Sequence, residues 1–183
     1  IDISGTRREV CLDLVDEQGC YVDHALVDLA VIDAVDVAAR AVWEPLRIRE
    51  LYLTQARVDS IGMSAIGAQV EPLAPFSGRA CQLLLGRGER CITAPIAPGL
   101  MAALRVSSHR VFGPGEALAI GRAPAVVALD GEREVLLPEE SHFRVRYNPE
   151  GPRVLDIRES LQLASRRGYL RRPTRRSDFK DQA

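Results

Sequence analysis

Two carboxylates lie side by side at a predicted turn, Asp130-Gly131-Glu132. The turn separates two apolar runs, residues 124–129 and 133–137, each typical of a β-strand. Asp-Gly between two strands strongly indicates a hairpin, because glycine tolerates the positive φ that such a turn requires. A plain hairpin needs only the Asp-Gly pair. Glu132 therefore adds a second acid at a rigid loop tip, where catalytic groups are commonly found. The alternative is a hairpin with a solvated tip.

The composition is that of an ordinary globular protein. The 183 residues are 46% hydrophobic and 27% charged, enough to build a core in one domain. We assign residues 1–170 to this domain and residues 171–183 to a basic tail. The formal net charge of −1 provides no general attraction for nucleic acid, so we expect no nucleic-acid partner.

Several classes of site are excluded by missing residues. Lys180, in the tail, is the only lysine, which argues against a Schiff-base enzyme and a P-loop. Neither a G-x-G-x-x-G nor a G-x-S-x-G motif occurs. The four cysteines lack C-x-x-C spacing and the three histidines lie far apart, so we predict no metal site and free thiols. No apolar stretch reaches the ~20 residues of a membrane span, and we expect a cytoplasmic protein without a membrane partner.

Many short strand-like segments joined by Gly/Pro turns predict a mainly β fold, a β-sandwich. The pattern also predicts a short helix over residues 33–43 and a C-terminal helix over residues 159–167, with Gly168 as its C-cap. Residues 86–89 are predicted to form a hairpin turn. The small residues of segment 60–68 indicate either a tightly packed turn or a place where a ligand approaches the backbone.

Three segments together resemble the C-terminal domain of the ATP-NAD kinase superfamily, which also contains diacylglycerol and sphingosine kinases. They are SIGMSAIGAQVEP (60–72), APIAPGLMAALRV (94–106) and VVALDGEREVL (126–136). In particular, residues 10–170 resemble the NAD kinase-like proteins associated with acetoin catabolism. The resemblance implies a β-sandwich domain that follows an N-terminal α/β domain carrying a Gly-Gly-Asp-Gly phosphate loop. This sequence lacks that loop and opens at Ile1, so we expect a piece of a longer protein, inactive alone.

The resemblance also implies roles for individual residues. Glu132 would accept the proton of the substrate hydroxyl, and Asp130 would shape the catalytic turn. Asp33, Ser64, Ala65 and Gly131 would contact the substrate. NAD kinases commonly have Gln where this chain has Glu132, and their Thr-Gly-Ser-Thr-Ala-Tyr pattern is otherwise absent around Ser64.

Three functions stay open on this basis. The first is an ATP-dependent kinase, with Mg²⁺ carried on ATP and NAD or a related nucleotide as the substrate. The second is a nucleotide-binding or regulatory protein that has kept the fold without catalysis. The third is a lipid or polyol kinase, suggested by Glu132. The expected partners are a nucleotide substrate, the N-terminal α/β domain and further copies in a homo-oligomer.

Overall fold

A computed structural model describes residues 6–33, 45–121 and 123–171 of the chain. The fold is mainly β within these ranges, as predicted. The strands are β1 (Thr6–Arg8), β2 (Cys11–Val15), β3 (Tyr21–Ala25), β4 (Asp28–Asp33), β5 (Ile48–Leu53), β6 (Ala80–Ala97), β7 (Leu100–Phe112), β8 (Ala117–Ala119), β9 (Ala125–Leu129), β10 (Arg133–Leu137), β11 (Arg144–Asn148) and β12 (Arg153–Leu155). The helices are α1 (Met63–Ala68) and α2 (Ile157–Arg166), and a 3-10 turn spans Pro45–Arg47.

The chain divides into two compact units. In the smaller unit, β1 pairs with β12 and α2 follows. The Asp156 carboxylate begins α2 by accepting the Glu159 N–H at 2.9 Å. Gly168, with φ of 75°, follows its end, as predicted. No described helix is long and apolar enough to cross a membrane. The predicted boundary at residue 170 stays a prediction, because residues 172–183 lie outside the described part.

The larger unit, residues 9–152, contains two antiparallel sheets. The six-stranded sheet has the order β10-β9-β4-β5-β6-β7 and the four-stranded sheet the order β3-β2-β11-β8. Leu29 and Val31 of β4 share a hydrophobic core with Leu14 of β2 and Val145 of β11. The two sheets therefore pack face to face as a sandwich, whose inward and outward residues alternate along β11.

The second face of the six-stranded sheet is also covered. Ala30 and Leu51 share another core with Ile66 of α1 and with Ile92 and Leu104 from the outer half of the β6–β7 hairpin. Because this sheet is buried on both sides, β9 (AVVAL) is apolar at every position and does not alternate.

Within segment 60–68, residues 63–68 form a tightly packed helix rather than a turn. A Cβ placed on Gly67 of α1 would overlap the Leu53 side chain and lie 3.1 Å from the Ala56 Cβ. The absence of a side chain at Gly67 therefore lets α1 approach β5 closely. The small residues of this segment thus serve close packing, one of the two alternatives left open by the sequence.

Two sequence-based predictions turn out differently. The hairpin turn predicted at residues 86–89 is wrong, because Leu85 and Arg90 both pair opposite Val106 and the intervening residues form a bulge in β6. The hairpin reverses further on, at residues 98–99, where Gly99 has φ of 77°. Of the predicted helix 33–43, Asp33 ends β4, and residues 34–43 lie outside the described residues.

Gly67→Ala should lower the free energy of unfolding by roughly 1–3 kcal/mol, because the added methyl group overpacks the contact of α1 with β5. Urea unfolding measures this change. Gln69→Ala, at the exposed end of the same helix, should change stability by less than about 0.5 kcal/mol. Equal stabilities of Gly67→Ala and the unsubstituted chain would contradict the close packing.

Candidate functional site

The Asp130-Gly131-Glu132 segment forms the tip of the β9–β10 hairpin, which confirms the predicted turn. The Glu132 N–H donates to the Leu129 carbonyl at 3.0 Å. Asp130 and Gly131 have φ of 52° and 68°, and positive φ at both central residues is what a type I′ turn requires. The conformation of Asp130 is unfavourable for most residues, but Asp tolerates it better than bulky side chains do.

The Asp130 carboxylate binds the backbone of a distant turn. It accepts the N–H groups of Leu26, Val27 and Asp28 at 2.7, 2.8 and 3.1 Å. Leu26 and Val27 connect β3 to β4 and Asp28 begins β4, where the chain crosses from the four-stranded to the six-stranded sheet. Hydrogen bonds to a charged acceptor are among the stronger ones in proteins, so Asp130 fixes both its own turn and the crossover.

Asp28, next to Asp130, is an acid that the sequence analysis did not assign to the site. Burial, followed by the negative charge of Asp130, raises the pKa of Asp28 to about 6. Strongly perturbed acids are common at functional sites. The signal in the sequence was a single acid interrupting the apolar run 25–32.

Glu132 is exposed to solvent. Among the described residues its side chain has no hydrogen-bond or ion-pair partner. The neighbouring Arg133 is engaged elsewhere, with Asp23 at 3.1 Å and with the His24 carbonyl. A Cβ on Gly131 would have nothing within 4 Å, so the backbone of the tip is open to an approaching molecule. The turn thus presents one available carboxylate on a rigid support.

Ser64 and Ala65 lie inside the protein. Ala65 is fully buried, and the Ser64 hydroxyl accepts the Arg57 N–H at 3.0 Å and lies 3.3 Å from the Gln55 carbonyl, to which it donates. The Ser64 hydroxyl group thus accepts one hydrogen bond and donates another within the protein. The predicted substrate contact of these two residues is untested, and the structure gives both of them a packing role.

The segment that follows β5 connects α1 to the Asp130 turn. The Thr54 hydroxyl donates to the Leu26 carbonyl at 2.7 Å, and the next residue, Gln55, contacts Ser64. Ser64 and Asp130 therefore flank the same end of the six-stranded sheet, joined through partly buried hydrogen bonds.

Asp33 lies at the opposite end of the sheet. It pairs with Ala125 at the start of β9, whereas Asp130 directly follows the last residue of that strand. At about 3.3 Å per residue, the two acids are separated by roughly 15 Å along the strand. The Asp33 carboxylate instead accepts the Arg49 Nε–H at 2.7 Å. The structure does not bring Asp33 to the Asp130-Gly131-Glu132 turn.

The acids of the turn do not form a metal site by themselves. The described residues contain no group of three or more His, Cys, Asp or Glu side chains that could hold a metal ion. Asp130 already accepts three N–H groups, which leaves Asp28 and Glu132 as the acids with free acceptor capacity. A cation such as Mg²⁺ would need further ligands, for example the phosphates of a nucleotide.

The fold and the Asp130-Gly131-Glu132 turn define a two-sheet antiparallel domain with an acidic hairpin tip. Comparison with known sequences identifies the family of this domain. Residues 11–150 match the Acetoin catabolism protein X C-terminal domain. Acetoin catabolism protein X of Cupriavidus necator is 31% identical over 152 residues, which cover 81% of this chain and 42% of that protein. The chain belongs to the acetoin catabolism protein X family. It spans less than half the length of this relative.

Asp130→Ala should lower the free energy of unfolding by roughly 2–4 kcal/mol, because three backbone N–H groups of the crossover lose a charged acceptor. Glu132→Ala, two residues away, removes an exposed side chain and should change stability by less than about 0.5 kcal/mol. Chemical denaturation of both variants measures the difference. Similar losses for the two would refute the structural role of Asp130.

Asp28→Asn should stabilise the chain by roughly 1–3 kcal/mol at pH 7.5, because the folded pKa of Asp28 lies above its ordinary value. The folded state holds the proton more tightly than the unfolded state, so the stability contributed by Asp28 falls as pH rises from 3.8 to about 6. The advantage of Asp28→Asn should disappear below this range. Glu17→Gln, on an exposed turn, serves as the control in urea unfolding at each pH. A constant advantage at all pH values would contradict the raised pKa.

Proposed function

We propose that this chain is the substrate-binding C-terminal domain of an ATP-dependent phosphotransferase of the NAD kinase-like type. The reaction would transfer a phosphoryl group from ATP to a ribose hydroxyl of NAD or a related nucleotide. One observation carries the proposal: Glu132 is an exposed carboxylate, without a partner among the described residues, on a turn that Asp130 holds rigid. A positioned but unneutralised acid is suited to accept a proton from a hydroxyl group.

In the proposed reaction, Glu132 orients the substrate hydroxyl and accepts its proton while the oxygen attacks the γ-phosphorus of ATP. The bond from that phosphorus to the bridging oxygen breaks, and ADP leaves. Mg²⁺ would arrive with ATP and neutralise the charge of its phosphates. Asp130 acts indirectly by fixing the turn, and the open backbone at Gly131 gives the substrate room to approach.

The other half of the site would come from an N-terminal α/β domain, as the resemblance implies. The longer relative has room for such a domain, because the aligned region covers only 42% of it. Helix α2 supports a partner of this kind. It has no buried residue, and four apolar side chains in and after it are more than half exposed: Ile157, Leu161, Tyr169 and Leu170. An amphipathic helix with an uncovered apolar face is typical of a docking element.

A second candidate is a nucleotide-binding or regulatory protein that uses the same surface without catalysis. The observation that favours it is the state of the other predicted substrate residues. Ser64 and Ala65 are enclosed, and Asp33 is paired with Arg49 about 15 Å from the turn. The two candidates differ in whether the full-length protein turns over ATP.

Glu132→Gln in the full-length protein should lower turnover by roughly 100-fold or more, because the amide cannot accept the proton. The assay supplies ATP, Mg²⁺ and NAD and measures formation of NADP. Glu134→Gln, an exposed acid two residues further on in β10, is the matched control and should retain full activity. Unchanged turnover of Glu132→Gln would sink the assignment of the base. No NADP from the folded, unsubstituted protein would favour the noncatalytic candidate.

A further inference from the structure

The end of the six-stranded sheet that lies opposite the Glu132 turn contains a polar cleft. Its volume is about 360 Å³, within the range of small-molecule sites. Among the described residues, its lining includes Arg49, Glu50, Gly86, Arg87, Ser107 and Gly121. Arg49 connects it to Asp33, the end of β4 that lies opposite the catalytic turn.

Arg49 is held in place at the cleft by three neighbours. Its Nε–H donates to Asp33 at 2.7 Å, and its Nη1 donates to the Leu46 carbonyl at 3.0 Å. Its guanidinium lies against Gly86, where a Cβ would come within 2.9 Å of Nη1. The Nη2 group makes no hydrogen bond within the described part of the chain. Arg49 is thus a preorganised cation with donors to spare.

Arg87 adds a second cation to the same cleft. It lies in the bulge of β6, is exposed, and its side chain has no hydrogen-bond or ion-pair partner among the described residues. The Ser107 hydroxyl donates to the Arg87 carbonyl and so fixes the backbone of the bulge across the hairpin. The positive charge of Arg87 is unpaired among the described residues, whereas that of Arg49 is paired with Asp33. Arg87 can therefore supply charge and N–H donors to a phosphate group, and Arg49 can supply a further N–H donor.

Glu50 gives the cleft an acidic side. It is only 4% exposed, and its carboxylate accepts the Gly121 N–H and the Tyr52 hydroxyl, each at 2.7 Å. Both donors are neutral, and the Gln82 amide lies 3.5 Å away. No cation donates to Glu50 among the described residues. An anion would avoid this side, whereas a hydroxyl group could donate to the Glu50 oxygens.

We propose that this cleft binds the phosphate monoester of a small polyhydroxy compound. The phosphate would accept hydrogen bonds from Arg87 and Arg49, and a hydroxyl group of the same ligand would donate to Glu50. Binding here does not depend on the proposed reaction, because Glu132 lies at the other end of the sheet.

Isothermal titration of the 183-residue chain with ribose 5-phosphate tests the proposal, with ribose and inorganic phosphate as separate probes. Ribose 5-phosphate should bind more tightly than either, because each lacks one of the two recognised groups. Arg87→Gln should weaken its binding by about tenfold or more. Arg90→Gln, an exposed arginine of the same strand that does not line the cleft, should leave the Kd within about twofold.

Three results would overturn the proposal. One is the absence of binding at millimolar ribose 5-phosphate by a chain whose thermal unfolding is cooperative. Another is equal weakening by Arg87→Gln and Arg90→Gln, which would indicate general surface charge. The last is equal affinity for ribose 5-phosphate and for ribose or phosphate alone. Both substitutions are at exposed positions, so loss of folding does not confuse the comparison. NADP formation is measured separately, so the two proposals can fail independently.

Discussion

The hydrogen bonds from Asp130 to the β3–β4 crossover are the interaction on which the site and the sandwich both depend. At this point the chain leaves one sheet and enters the other. The N–H groups of three consecutive residues there do not donate to the backbone of a neighbouring strand. A single carboxylate accepts all three, while Thr54 donates to the carbonyl side of the same turn. The backbone groups of the crossover are therefore satisfied by the side chains of Asp130 and Thr54, which directly follow β9 and β5, the two strands on either side of β4.

Burial of the six-stranded sheet on both faces determines where function can reside. The four-stranded sheet covers one face, and α1 with the outer β6–β7 hairpin covers the other. A ligand can then reach this sheet only at its ends and edges. The two polar features of interest, the Glu132 turn and the Arg49 cleft, lie at opposite ends, where strands stop and side chains are no longer enclosed.

The acidic end combines a stabilising and a destabilising carboxylate. Asp130 gains three backbone donors, but it also places a negative charge beside the half-buried Asp28, whose pKa rises to about 6. A carboxyl group that is charged at neutral pH, although its surroundings in the folded protein favour the neutral form, reduces stability. Such destabilising groups are often retained for function. Membership of the acetoin catabolism protein X family gives this arrangement a wider context, since residues 11–150 span both acids.

The sequence alone determined the features that arise from neighbouring residues. The Asp-Gly turn of β9–β10 and the glycine after α2 follow from local backbone geometry and were predicted correctly. Only the tertiary structure decided that Asp130 binds residues about a hundred positions earlier, that Asp28 lies half-buried beside it, and that Asp33 pairs with Arg49 far from the turn. The bulge at residues 86–89 belongs to this second group. These outcomes depend on strand order and on which faces are covered, and long-range packing sets both of them.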